Sequence, residues 1–202
     1  WVRRPTGGRA VLHDDEITYA FIAGARDGFP GPVLANYLKI GEGLREGFSH
    51  LGLSLEMMEK DLTGRGHGSA ACFASPSWYE LTYGGRKMVG SAQLRRGDAF
   101  LQHGSILCTF DAGALLELIS PKQTAGVAEE GKLKEKVVGL VEALGFDPGR
   151  PRVLASLTQG LGERLGIQWQ EGDLTREEVV LTQQLEREKY TLPPTEITTR
   201  SG

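Results

Sequence analysis

Cysteine is scarce in this chain: Cys72 and Cys108 are its two thiols in 202 residues, and four histidines are scattered without pattern. Two thiols cannot staple a disulfide scaffold, and no CxxC or HxxxH spacing offers a metal site, so a metal-free protein of a reduced, cytosolic setting is expected. An excess of basic charge is missing too. Lys and Arg total 23 against 26 Asp and Glu, which leaves no electrostatic footprint for nucleic acid or for a membrane surface. No run of 18 apolar residues occurs, and no charged stretch followed by an apolar one opens the chain, so neither a spanning helix nor an export signal is read. Glycine, by contrast, is plentiful: 28 residues, 18 of them before residue 114, where loops with close backbone approach are therefore expected.

The length suits one domain, taken as residues 1–190, followed by a Thr- and Ser-rich tail, 191–202, that reads as disordered. Trp1 to Arg4 and Arg9 to His13 read as strands around a sharp Pro5-Thr6-Gly7-Gly8 loop. Glu16 to Ile22 alternates, with Ile17, Tyr19 and Phe21 on one face. Val33 to Leu51 carries Leu34, Leu38, Leu44, Phe48 and Leu51 at helical spacing and is closed by Gly52; its internal Gly41, Gly43 and Gly47 lower helix propensity, so packing must hold it. A short strand is expected from Leu53 to Met57. Trp78–Tyr83, Gly84-Gly85 and Arg86–Leu94 form a hairpin with a two-residue turn, and a turn at Arg95 to Asp98 leads into a strand from Ala99 to Thr109. The middle of the chain is thus an antiparallel meander rather than a parallel doubly wound sheet. The rest is helical: one segment with Leu133, Val137, Leu140 and Leu144 ended by Gly145, a second with Leu154, Leu157, Leu161 and Leu165 ended by Gly166, and a third opened by the capping box of Thr175 and Glu178 and running to about Tyr190.

Cys72 is the candidate nucleophile. Gly64, Gly66, Gly68, Ser69, Ala70 and Ala71 before it leave little bulk around the sulfur, and Arg86, Lys87, Arg95 and Arg96 downstream supply positive charge that favours thiolate. Its alternative is a small buried hydrophobe. Cys108, in an apolar strand, reads as core. Lys87 reads either as an activating cation or as an ordinary solvated hairpin lysine. The turn pairs Thr82 with Lys87, which leaves Cys72 ten residues upstream of Lys87's partner, ~33 Å if extended, so only a chain reversal near Pro76 brings the two together. His13, His50, His67 and His103 allow a Cys-His dyad, and Gly7-Gly8 offers backbone amides to a phosphate or an acyl chain.

RRPTGGRAVLHD, Arg3 to Asp14, resembles the RRxTGGGAVxHD signature of lipoate-protein ligases and their relatives, and CFASPSWYEL, GRKMVGSAQ and LQHGSIL resemble the octanoyltransferase branch of that family. The resemblance covers Val2 to about Phe110. It implies an α/β (α+β) fold of the biotin and lipoate ligase type, a mostly antiparallel sheet flanked by helices, and it implies that the N-terminal part of the family domain is missing here. It further implies transfer of an octanoyl group from octanoyl-acyl carrier protein to a lysine of the glycine cleavage H protein or of an E2 lipoyl domain, with no cofactor. By that resemblance Cys72 takes the place of the acyl-thioester cysteine and Lys87 that of the lysine lowering its pKa. Arg4, Thr6, Gly7, Gly8, Arg9, Ala10 and His13, with Gly90, Ser91 and Ala92, would bind substrate. Arg9 stands where many ligases have a third glycine, which argues against an adenylate site. An ATP-dependent lipoate ligase and a non-catalytic lipoyl-domain binding module are the alternatives. Carrier proteins of this kind are acidic, so Arg3, Arg4, Arg95 and Arg96 are candidate docking residues.

Overall fold

A computed structural model of the chain describes residues 2–6, 11–59, 79–119 and 127–190. These belong to two compact units, one of Gly8–Gln168 and one made of Trp1–Gly7 with Trp169–Gly202. The larger unit is built on a five-stranded antiparallel sheet in the order β1-β5-β4-β3-β2, with β1 at Glu16–Gly24, β2 at Glu56–Glu59, β3 at Tyr79–Tyr83, β4 at Arg86–Arg96 and β5 at Ala99–Leu107. The β3–β4 turn takes Gly84 at φ 56° and Gly85 at φ 75°, the left-handed pair that a two-residue hairpin turn with the twist of its strands demands. Tyr83 faces Arg86 and Thr82 faces Lys87, the expected register, but Leu81 then faces Val89. Met88 is therefore an extra residue on β4, a bulge of the kind that gathers beside active sites.

One face of the sheet is sealed by α1, Val33–Ser49, which packs against α5, Arg150–Leu165. Ile40, Leu44 and Phe48 of α1, Val153 and Leu157 of α5, and Ile17, Val89, Phe100 and Ile106 of the sheet share this core. The glycines within α1 acquire a reason. A Cβ on Gly47 would stand 2.6 Å from the Leu157 Cα, and one on Gly160 would stand 2.1 Å from the Gly47 nitrogen, so the two helices meet backbone to backbone and only glycine fits at the crossing.

Four expected elements are redrawn. The segment ended by Gly145 is not one helix: α3 covers Val127–Lys134, a turn at 135–136 leads to Val137, which bridges Lys87, and α4 covers Leu140–Leu144. The Lys87 amide donates to the Lys136 carbonyl at 2.8 Å, and the Val138 amide donates to the Lys87 carbonyl at 3.0 Å, so this stretch pairs with the head of β4. Leu133, Val137 and Leu140 are indeed all buried, but sheet pairing at β-branched Val137-Val138 overrides the helical spacing. A Cβ on Gly139 would lie 2.7 Å from the Cys108 carbonyl. The strand expected at Leu53–Met57 begins at Glu56, with Leu53 and Leu55 buried in the approach to it. Residues 2–4 and 11–13, read as strands, carry no regular structure. Two short elements add to those read from the sequence, a 3-10 turn at Ala25–Asp27 and helix α2 at Ala112–Ile119.

In the other unit, α6 spans Arg176–Leu185 and continues as a π-helical turn, Glu186–Tyr190. The expected capping box opens it: the Glu178 amide donates to Thr175 Oγ1 at 3.2 Å and the Thr175 amide donates to Glu178 Oε2 at 2.7 Å. Residues 191–202, read as a disordered tail, lie outside the described residues. No helix among the described residues is long and apolar enough to cross a membrane.

Candidate active site

The head of β4 is where candidate residues gather. Lys87 is held between two neighbours, Thr82 of β3 on one side and the 136–138 segment on the other. Its side chain is only 5% exposed, and Nζ donates to Glu80 Oε1 at 2.5 Å. Lys87 is therefore not a solvated hairpin lysine. Glu80, itself 10% exposed at the side chain, was absent from the candidates. A signal for it existed, since a carboxylate and an ammonium that flank a two-residue turn sit diagonally across the hairpin and within reach of each other.

The motif segment after RRPTGGRA arrives at the same end of the sheet. Val11 packs with Leu107 at the end of β5, with Val137 beside Lys87, and with Phe110. Leu12 packs with Ala112, Leu115, Leu116 and Leu133. Next in the chain, His13 is mostly exposed and bonds through Nδ1 to the carboxylate of Glu16 at the start of β1. Glu16 is buried; Ser105 Oγ donates to its Oε1 at 3.2 Å, while Oε2 has no hydrogen-bond partner among the described residues. Arg150 of α5 fastens this corner, donating to the Glu16 carbonyl at 2.5 Å and to Asp15 Oδ1 at 2.9 Å. Cys108 follows β5 directly, as core: burial pushes its thiol up, and the negative charge of Asp15 adds to that.

Gly90, Ser91 and Ala92 lie in β4 opposite Ser105, Gly104 and His103 of β5, whose far neighbours in β1 are Thr18, Tyr19 and Ala20. Strand alternation divides them between the two faces. Ser91 is on the helix-covered face, where its Oγ shares a 2.6 Å hydrogen bond with Tyr19 OH and its carbonyl accepts from Tyr37 OH of α1 at 3.3 Å. Gln102 Nε2 also donates to Tyr19 OH, at 3.2 Å, and burial raises that phenol's pKa. A Cβ on Gly104 would stand 2.7 Å from the Tyr19 ring. Gly90 and Ala92 share the opposite face with Thr18, Ala20, Ser105 and His103, a floor of mostly small side chains.

Arg4 and Thr6 are half-buried and belong to the unit formed with Trp169–Gly202. Gly7, Gly8, Arg9, Ala10, His67 and Cys72 lie outside the described residues. Arg95 and Arg96 stand at the far end of β4, eight and nine residues from Lys87, or ~30 Å along the strand, and Arg95 Nη1 donates to the Gly31 carbonyl at 2.9 Å. Among the described residues one cluster has donors spaced to hold a metal ion, Glu46, His50 and Glu163, whose ligand atoms lie within 4.8 Å of one another. It is a surface group on α1 and α5 in which His50 Nε2 and Glu163 Oε2 are 2.9 Å apart.

Residues 1–162 match the family described as the lipoyl protein ligase A/B catalytic domain. The chain is similar to the octanoyltransferase LipM of Kyrpidia tusciae, 41% identical over 191 residues that take in 92% of this chain and 70% of that protein. It is also similar to the octanoyltransferase LipM of Bacillus subtilis, 36% identical over 197 residues that take in 94% of this chain and 71% of that protein. Among solved structures, a lipoate-protein ligase A bound with ATP superposes with a TM-score of 0.71 at 21% identity, over 95% of this chain and 69% of that one. The bipartite lipoate protein ligase of Thermoplasma acidophilum, studied with its E2 lipoyl domain, gives 0.70 at 22% identity, over 95% of this chain and 68% of that one. At those identities the structural likeness speaks for the fold alone. It is the fold expected, an α+β arrangement with an antiparallel sheet flanked by helices.

Proposed function

From the premise that the chain belongs to the lipoyl protein ligase A/B catalytic family, we propose that it is an octanoyltransferase, carrying an octanoyl group from octanoyl-acyl carrier protein to a lysine of a lipoyl-bearing protein. The acceptor is the glycine cleavage H protein or an E2 lipoyl domain, and the reaction takes place in the cytoplasm. One observation of the geometry carries this reading beyond family membership: the motif segment and the head of β4 that bears Lys87 meet through Val11, Leu107 and Val137. Cys72 is the nucleophile of the proposal. Its thiolate attacks the donor thioester carbonyl, the carrier's thiol departs, and the octanoyl group rests on the Cys72 sulfur until the acceptor amine displaces it. Lys87 favours the thiolate by its charge. A thioester donor already carries the activation that a ligase obtains by adenylation, so neither ATP nor a metal enters.

Intact-mass analysis after incubation with octanoyl-acyl carrier protein, and then with acceptor, tests the reading. Acyl-enzyme formed without ATP, and octanoyl-acceptor formed from it, is the expected result. Transfer that requires ATP and free fatty acid while the carrier-bound donor is inert would make the chain a ligase. Binding of acceptor with no transfer from either donor would make it a binding module.

A further inference from the structure

Away from the head of β4, the described residues bring one mixed set of metal-binding side chains together. Glu46 lies in the last turn of α1, His50 is the cap that ends that helix four residues on, and Glu163 comes to them from α5, 113 residues beyond His50 in the chain. The i, i+4 spacing sets Glu46 and His50 on one face. One ligand atom from each of the three lies within 4.8 Å of the other two. Zinc bonds of about 2.1 Å to nitrogen and oxygen put tetrahedral ligand atoms ~3.4 Å apart, so a closure of ~1.4 Å by the two carboxylate side chains completes the set. The backbones beneath are locked, because Gly47, next to Glu46, meets Gly160, one turn before Glu163, at the helix crossing. The carboxylates are steadied as well. Gln159 Nε2 donates to Glu163 Oε1 at 2.8 Å and Ser49 Oγ donates to Glu46 Oε1 at 3.4 Å, while Glu163 Oε2 faces His50 Nε2 at 2.9 Å.

Charge separates this set from its surroundings. One turn earlier on α1, Glu42 is neutralised by Arg45 at 2.7 Å and by Arg164 at 3.5 Å. Glu46 and Glu163 have no lysine or arginine in ion-pair reach among the described residues, and they share the His50 imidazole alone. Two carboxylates beside one neutral imidazole leave a double negative charge that a single divalent cation cancels. One nitrogen and two oxygens, with no thiolate, suit Zn2+ and its borderline neighbours better than Mg2+ or Ca2+, which take oxygen throughout. We propose that Glu46, His50 and Glu163 form a zinc-class metal site that ties the C-terminal end of α1 to α5, with water completing the coordination. His50 binds through Nε2 in the tautomer that carries its hydrogen on Nδ1, and each carboxylate binds through one oxygen. The set shares no residue with the acyl transfer proposed above, and its metal braces the two helices without entering that reaction.

The full chain, stripped of metal with a chelator, is titrated with Zn2+ by calorimetry, by melting temperature and by proton–nitrogen correlation spectra of the imidazoles, which report each histidine by itself. The expected result is one Zn2+ bound at His50, with the His50 Nε2 resonance displaced and the melting temperature raised. Gln159→Ala should weaken that binding about 10-fold or more, and His50→Ala and Glu163→Gln further still. Glu42→Gln should leave it at the wild-type value. The rise in melting temperature between stripped and loaded protein, taken within each variant, removes any effect of the substitution on the metal-free fold. Mg2+ at the same concentration should move neither the melting temperature nor the spectra. Zinc that leaves the His50 nitrogens unmoved, as an ion held on Cys72 or Cys108 would, or binding undiminished in His50→Ala and Glu163→Gln, would overturn the proposal and reduce the cluster to a surface ion pair. Stabilisation by Mg2+ equal to that by Zn2+ would overturn it too, as the mark of carboxylates that draw any divalent ion.

Discussion

Glu80→Gln is the substitution that most sharply examines how Lys87 acts. Glu80 Oε1 lies 2.5 Å from Nζ, so under the proposed mechanism the carboxylate would partly cancel the field that the ammonium exerts on a thiolate. For a thiolate taken at ~5 Å from Nζ, with the carboxylate taken ~2.5 Å farther off, an effective dielectric of ~20 would give about 3 kcal/mol of attraction from Lys87 alone and about 1 kcal/mol from the pair. Removing the carboxylate should therefore lower the Cys72 thiol pKa by about 1.5 units, at 1.36 kcal/mol per unit. The sign is opposite for Lys87→Met, which raises it. The assay is the pH dependence of Cys72 alkylation by iodoacetamide in both variants and in wild type, with the midpoint moving down in Glu80→Gln and up in Lys87→Met. Each single change removes one member of a buried ion pair and should cost about 3–5 kcal/mol in chemical denaturation, with a smaller loss in a double variant that replaces both by apolar groups. Coincident alkylation profiles in folded wild type and Glu80→Gln would refute the electrostatic role.

Three further outcomes are expected. Gly160→Ala should destabilise by about 1–3 kcal/mol by forcing α1 from α5, whereas Gly131→Ala, in α3 with open space where its Cβ would lie, should gain about 0.5–1 kcal/mol; urea melts decide both. Burial raises the pKa of Cys108 above an ordinary 9.0 and of Tyr19 above an ordinary 10.0. A group raised on folding stabilises fully below its ordinary value and ceases to as pH rises through the folded one, so the melting temperature should fall from about pH 9 upward, and less steeply in Cys108→Ala and Tyr19→Phe. Lys132, Lys134 and Lys136 are exposed and lead to the segment paired with Lys87. Charge reversal there should lower kcat/KM for the acidic carrier-protein donor more than reversal at Arg95 and Arg96; the opposite ranking in a steady-state assay at low salt would return docking to the far end of β4.

What was legible in the sequence was local. The Gly84-Gly85 turn dictates a pairing of Thr82 with Lys87 that needs no tertiary information, and the Thr175 and Glu178 capping box names its own helix start. Strand alternation from Ile17 to Phe21 names the buried face, and the spacing through Leu165 names α5. What escaped depends on neighbours distant in the chain. Leu133, Val137, Leu140 and Leu144 keep a helical period, yet Val137 is claimed by the backbone of Lys87, fifty residues earlier. The bulge at Met88 exists only once β3 and β4 are paired. Glu16 looks like the polar first residue of a half-buried strand, and nothing local says that Ser105 and Arg150 will bury it and leave it holding His13. Ser91 reads like its neighbours Gly90 and Ala92 in the motif, but its bond to Tyr19 ties it into the sheet's covered face.

The central claim is a covalent octanoyl group on Cys72. Peptide mapping of the chain after incubation with octanoyl-acyl carrier protein, without ATP, tests it directly, because Cys108 is buried with its thiol pushed up and supplies an internal comparison. The account predicts the acyl group on the peptide carrying Cys72, labile to hydroxylamine and absent from Cys72→Ser; octanoylation of Cys108, or transfer to the acceptor that persists with neither cysteine acylated, would contradict it.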